Sequence, residues 1–518
     1  MDRYPASRRG RERFPGHGDG AALDLNGLSV AEEQHIVRRL TNRSFDAWAS
    51  TAARVGYCTN PIRVRGSSTS FDRDTGQPLQ TFSTLDEAFG VLHLRCGNRR
   101  ADVCPSCSRV YAADTFHLIR CGLTGGKGVP DTVAENPLVF ATLTAPSFGS
   151  VHGVRDGSRR CHPRSGTKSK CPHGRSMSCM LRHRPTDQGL GQPLCWECYD
   201  YASHVVWQWW APELWRRFTI TLRRLIAKTL GVKPRDLNKH ATLQYAKVAE
   251  FQLRGIVHFH ALVRLDGPKR DAGFAPSPPS IDPTLLALLI EEAARAVSFT
   301  APSALDDNLE RDLRFGSQVD ARGVRTSRRT DDPERALQPE QVAGYLAKYA
   351  TKSATESADG GSNPHLQRIQ AVAAAIADCA QSTANLSDLD EHDVAYERMA
   401  NWVHMLGFRG HFATKSRRYS ITLGALRRAR RRAQTLIALA RREGRRVDLA
   451  GLEAELMADD EDETTLVIGD WRFAGVGWET AGDAALAKAA AARAREYAQW
   501  KSQQRRSTRP RRSNVHAT

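Results

Sequence analysis

The sequence has no apolar run approaching the roughly 18 residues that a membrane-crossing helix needs. Its opening, MDRYPASRRGRERFPGHGDG, contains no apolar segment that could act as a signal peptide. These absences argue against a membrane partner and lead us to expect a cytoplasmic protein. The chain is also short of acid: 57 Asp and Glu stand against 75 Lys and Arg, a formal charge of +18 over 518 residues. A surface of that sign favours a polyanionic partner, and with membrane segments missing the expected polyanion is nucleic acid. No repeat on the scale of a solenoid is visible, so this length implies two or three folded units with tails. Cysteine is sparse, 11 residues, and in a reducing compartment those thiols read as free side chains or metal ligands rather than disulfides.

What is present is unevenly placed. Cys104-Pro-Ser-Cys107 and Cys195-Trp-Glu-Cys198 are two C-x-x-C pairs, where this composition would give about 0.2 by chance. Scattered buried thiols explain single cysteines but not two close pairs, so both read as structural zinc knuckles with closed coordination. Cys96 belongs with the first, completed by Cys58 or Cys121, with Cys58 preferred. The favoured second set is Cys161, Cys171, Cys195 and Cys198, with Cys179, His162, His173 or His183 able to enter.

Residues 255–265, GIVHFHALVRL, read as a strand. Alternate side chains share a face, so His258 and His260 point one way while Val257, Phe259, Ala261 and Val263 point into a core. Two imidazoles on one face can hold a divalent cation; a solvated strand face carrying two histidines is the plain alternative. The preceding strand offers Glu250 or Gln252 as a third ligand. A three-residue loop of Leu253, Arg254 and Gly255 would set Glu250 opposite His258, and a two-residue loop would turn it away. Glu250 is preferred. Further on, Pro339 opens a helix whose end reads VAGYLAKYATK. On it Tyr345 and Tyr349 are i and i+4, as are Lys348 and Lys352. Val342, Leu346 and Tyr349 also make an apolar stripe, which leaves Tyr345 the better placed for chemistry.

Elsewhere the patterns predict a buried strand in PLVFATLTAP (137–146), two core helices broken near Pro212, and a helix near Thr284–Ala296. A basic helix is predicted over Ala425–Arg446, followed by an Ala- and Arg-rich helix. The basic region, Thr414 to Glu443, carries Arg417, Arg418, Arg427, Arg428, Arg430 and Arg431 as candidates for phosphate contact, with Leu436, Ile437 and Leu439 left to dock it. A solvated basic face is the competing reading.

In order, FATLTAPSFGSVH (140–152), GIVHFHALV and YLAKYATK resemble the three motifs of the HUH endonuclease superfamily of rolling-circle initiators. The doubled Tyr-x-x-Lys looks like its two-tyrosine branch. RCGNRRADVCPSC, KVAEFQLRGIVHFHALVRLDG and GFRGHFATKSRRYSITLG are similar to the replication initiators of actinobacterial plasmids and integrative elements, a likeness running from about Tyr57 to Ala440. The resemblance implies a metal-dependent single-strand endonuclease acting on origin DNA, with a tyrosine attacking a phosphodiester to leave a 5′-phosphotyrosyl link and a free 3′-OH. Mg²⁺ or Mn²⁺ would sit on His258, His260 and a third ligand, Lys348 and Lys352 would steady phenolate or phosphate, and a host helicase and polymerase would follow.

The expected fold is α+β: an HUH-like antiparallel sheet flanked by helices, with the histidines on a middle strand and the tyrosine helix beside it. The expected division is a basic, disordered region at 1–50 and a zinc module at 51–130. The nicking domain is expected at 131–425 with insertions at 150–200 and 266–335, and a basic helical region at 426–518. Two rivals remain. One is a non-catalytic zinc-containing DNA-binding regulator, with core tyrosines and incidental histidines. The other is an HUH transposase or relaxase, though a relaxase usually carries an N-terminal tyrosine nucleophile and a third clustered His, and no third His lies near His258 and His260.

Overall fold

A computed structural model describes residues 24–42, 44–155, 159–270, 275–305, 309–324, 339–349, 363–386, 395–444, 456 and 465–507. The chain divides into two units, residues 1–111 with 459–518, and residues 112–458. No helix among the described residues is long and apolar enough to cross a membrane.

The first unit joins the two ends of the sequence. Helix α1 (Val30–Thr41) starts at a capping box in which Ser29 and Glu32 satisfy each other's backbone amides, and α2 (Phe45–Arg54) follows. Strand β1 (Ile62–Asp72) pairs with β2 (Pro78–Ser83), with β3 (Leu92–Leu94) and, along its full length, with β11 (Thr465–Val476). The last helix, α9 (Ala481–Ser507), returns Asp483 to α1, where Arg39 Nε donates to it at 2.8 Å. The division therefore differs from the expected one: the C-terminal region is not a separate helical unit, because a β-branched and aromatic run, TLVIGDWRF, completes a sheet begun some four hundred residues earlier. Local periodicity carries no signal for such a distant partner.

The second unit is built on a five-stranded antiparallel sheet. Its strands are β4 (Leu138–Leu143), β5 (Thr242–Phe251), β6 (Val257–Asp266), β9 (Val319–Gly323) and β10 (Ala413–Lys415), in the order β10-β5-β6-β4-β9. Strand β6 is central, and its Val257, Phe259, Ala261 and Val263 are buried. Helix α4 (Tyr201–Thr229) belongs to the same core, with the Trp215 ring 5.7 Å from Phe259. Helix α5 (Pro283–Ala296), capped by Asp282, adds Leu286 and Ile290, and β7 (Phe299–Ala301) pairs with β8 (Arg311–Leu313) alongside. Helices α3 (Pro105–Thr124), α6 (Pro339–Tyr349), α7 (Pro364–Leu386) and α8 (Leu423–Arg442) complete an α+β protein.

Helix α4 is one continuous element of 29 residues with Pro212 inside it, not the broken pair expected. A proline removes one N–H and pushes nearby carbonyls off axis. Here the Arg409 guanidinium donates to the Trp209 carbonyl at 3.2 Å, so the disturbed turn keeps a partner.

The turn joining β5 to β6 is clamped from behind. Its three residues, Leu253, Arg254 and Gly255, close on a Gly255 amide that donates to the Gln252 carbonyl at 2.9 Å, with Gly255 at φ 79°. The Gly255 carbonyl accepts from Gln208 Nε2 at 2.9 Å and His204 Nε2 at 3.3 Å, and the Arg254 carbonyl accepts from His365 Nε2 at 3.1 Å. Each histidine must donate from Nε2, so its Nδ1 accepts, from the Tyr199 hydroxyl at 2.8 Å and the Tyr201 hydroxyl at 3.1 Å respectively. Burial pushes His204 well down and His365 down to about 4, which keeps both neutral.

Because His365 is depressed in the folded state, the unfolded chain takes up the proton first as pH falls. The stability it confers is present above about pH 6.5 and is lost toward pH 4, an effect of about 3 kcal/mol at 1.36 kcal/mol per unit. Urea unfolding of this unit is expected to weaken over that window, and His365→Gln to flatten the dependence by that amount.

Candidate catalytic centre and metal sites

The three-residue turn fixes Glu250 opposite His258 and Phe251 opposite Val257. Glu250, His258 and His260 therefore share the face of the sheet away from the core. Glu250 Oε2 lies 3.0 Å from His258 Nε2 and 3.1 Å from His260 Nε2, and the three ligand atoms lie within 4.8 Å of one another. Burial would raise the Glu250 carboxyl, but hydrogen bonds from the two imidazoles outweigh it and hold it at about 2. Burial lowers His260. One carboxylate oxygen and two imidazole nitrogens at this spacing form an N/O donor set suited to a divalent cation.

Neighbouring side chains hold this set from behind. On β4, Thr142 sits opposite His260, and its hydroxyl lies 3.0 Å from His260 Nδ1. A hydroxyl can accept an N–H there, leaving Nε2 for a cation. Phe140, two residues back on the same face, stacks on the His260 ring at 5.6 Å. The Gln252 amide lies 3.3 Å from His258 Nδ1 and accepts from Arg254 Nε at 2.9 Å, while the rest of that guanidinium donates to the Ala145 and Pro146 carbonyls. Gln252 thus sits behind His258, and Glu250 is the one of the two whose side-chain oxygen lies beside both imidazoles.

Helix α6 brings the tyrosine. Val342, Ala343, Leu346 and Ala347 are buried, whereas Tyr345 is 39% exposed with its hydroxyl 3.1 Å from His260 Nε2. Its ring meets Phe140 edge-on at 6.1 Å. Lys348 lies exposed on the same helix. The Tyr349 side chain and Lys352 lie outside the described residues.

Among the described residues, cysteines and histidines gather in three tetrads. Cys58, Cys96, Cys104 and Cys107 gather in the first unit; Cys104 and Cys107 Sγ each lie 3.7 Å from Cys58 Sγ. A metal 2.3 Å from each sulfur would set them about 3.8 Å apart. Cys121 packs instead with Val129 and Val133. In the insertion the favoured single set is split. Cys161 joins His152, Cys179 and His183, and Cys171 joins His173, Cys195 and Cys198. His183 Nδ1 faces Asp187 at 3.1 Å, which frees Nε2 as the ligand atom. His162 falls in neither group; its Nε2 donates to the Val151 carbonyl at 2.9 Å. The pairs alternate along the chain between the two sites, so each site ties down the loop that supplies the other. Spacing alone could not reveal this, because His152 lies outside any Cys pair, at the end of the Leu-Thr strand motif.

The basic region is only partly free to face outward. Arg430 pairs with Asp114, which is wholly buried, and Arg427 Nε approaches the same carboxylate at 3.5 Å. A buried carboxylate needs such partners, so these two arginines are drawn toward α3. Arg417 and Arg431 are exposed, and Arg418 and Arg428 half-buried. Leu426 and Ala440 are buried on α8, Leu436 is half-buried and Ile437 is 41% exposed. The Leu439 side chain lies outside the described residues.

The family described as "RepSA: Replication initiator protein, pSAM2" matches residues 44–492, and this chain belongs to it. A protein of Streptomyces ambofaciens called "Replication initiator protein" is 39% identical over 477 residues, covering 87% of this chain and 91% of the relative. No solved structure matches.

One ion per tetrad predicts three thiolate-bound ions in the whole protein, where a single site in the insertion would give two. Elemental analysis of the purified protein should return three, and Cys58→Ser should remove one.

Proposed function

We propose that this chain is a replication initiator of the HUH rolling-circle type, which nicks one strand of its origin with Tyr345. One observation carries the reading: the Tyr345 hydroxyl lies 3.1 Å from His260 Nε2, at the edge of the Glu250, His258 and His260 set. A magnesium or manganese ion on those three residues would polarise the scissile phosphate. The Tyr345 oxygen bonds to phosphorus as the bond to the 3′ oxygen breaks. The phenolic proton passes to solvent, and the 3′ oxygen takes up a proton to leave as the 3′-OH from which a host polymerase extends. Lys348, one turn along α6, supplies positive charge to phenolate or phosphate, and Tyr349 with Lys352 would repeat the device for a second transfer. A helicase of the host would open the duplex. The three Cys/His tetrads we assign to structural zinc, whose tetrahedral preference their donor types and spacings suit. The exposed arginines beside and on α8 would add affinity for phosphate without reading sequence.

Incubating the protein with single strands of its own origin and Mn²⁺ should give a denaturation-resistant protein–DNA adduct. Tyr345→Phe should reduce the adduct to background, or to whatever Tyr349 supports, which Tyr345→Phe with Tyr349→Phe then removes. Binding to origin DNA with no adduct on any strand would instead identify a non-catalytic regulator. Thr142→Val should weaken Mn²⁺ binding about 10- to 100-fold by freeing the His260 ring, measured by calorimetry. His258→Ala should abolish both binding and adduct.

A further inference from the structure

Around the insertion's first two candidate ligands, His152 and Cys161, the residues Arg155, Arg159, Arg160 and Arg164 line a shallow cleft with Cys161, His162 and Pro163. All four arginines are exposed. Arg155 Nε donates to the Cys161 carbonyl at 3.2 Å, and Arg160 reaches only the Met180 sulfur, at 3.9 Å. Among the described residues no carboxylate lines the cleft or pairs with these arginines. Four guanidinium groups around one cleft repel one another, and a bound polyanion would relieve that repulsion. Guanidinium forks match phosphate oxygens in pairs.

The module is also rooted at the candidate centre. Gly191, at φ 81°, is packed so closely on the β5–β6 turn that an added Cβ would fall 2.4 Å from the Leu253 backbone. The Gly191 amide also donates to the His152 carbonyl at 2.8 Å, which ties the start of the cleft segment to that turn within one unit.

We propose that this arginine cleft grips the sugar-phosphate backbone of DNA outside the nicking centre, its shape set by the ion on His152, Cys161, Cys179 and His183. The proposal rests on the reading of the chain as an origin-binding initiator, but not on the nicking step. Neutralising each phosphate contact steepens the salt dependence of binding, by about 0.9 per contact on duplex and about 0.7 on single strands.

The test uses the full chain with Arg159→Glu, Arg160→Glu and Arg164→Glu combined, and a control with the same charge change at Lys228→Glu, Lys233→Glu and Arg235→Glu, all exposed on α4 and the segment after it. Binding to an origin duplex and to each separate strand is followed by fluorescence anisotropy across a salt series. The cleft variant should lose about two to three units of slope on the form of DNA it grips, duplex or single strand, while the control keeps the wild-type slope. Metal content and adduct formation on a short saturating oligonucleotide should stay unchanged. An unchanged slope on both forms, or an equal loss in the control, would overturn the proposal. Absence of an adduct in the wild type would instead sink the nicking mechanism and leave the slope comparison readable.

Discussion

The turn Leu253-Arg254-Gly255 sets the register of β5 against β6, and the candidate centre exists only in that register. A slip of one residue would swing Glu250 to the core face and leave the two imidazoles without a carboxylate. The chain holds the turn with three buried donors, His204 and Gln208 in the N-terminal third of α4 and His365 at the start of α7. Gln208 also accepts from the Val257 amide at 2.9 Å, so one side chain fastens both the turn and the start of the histidine strand. The core of the unit thereby determines the chemistry on the opposite face, through backbone carbonyls rather than through the ligands themselves.

A second buried device secures the far end of the same strand. Arg264, with no exposed surface, forks onto Asp266, donates to the Gly122 carbonyl and lies 5.3 Å over the Tyr419 ring. An arginine can be buried at tolerable cost only when its donors are matched in this way. Asn136 completes the set by donating to Asp266 at 2.8 Å. Strand β6 is therefore pinned at both ends by polar groups, while its middle supplies the apolar residues of the core and the two imidazoles.

Much of this could be read along the chain, and the reasons are local. Alternation in GIVHFHALVRL assigns His258 and His260 to one face and helical spacing separates Tyr345 from the apolar stripe, whereas the choice between Glu250 and Gln252 hangs on a loop length that the sequence leaves at two or three residues. Thr142 and Phe140 were out of reach because their part depends on which strand lies beside β6, a matter of sheet order. The insertion misled for a related reason: adjacent cysteines suggest adjacent ligation, whereas alternating pairs serve different sites. In Thr465–Val476 the composition already suits a strand, but nothing nearby in sequence could pair with it.

That last strand has a consequence for synthesis. Strand β1 leaves the ribosome early and remains without β11 until almost the whole chain has followed, so the unit of residues 112–458 can fold as a complete body while its neighbour still waits for a strand. A chain that stops short of residue 465 would carry the whole candidate centre yet lack the sheet that unites the termini. Completion of the first unit thus reports that translation has passed residue 476.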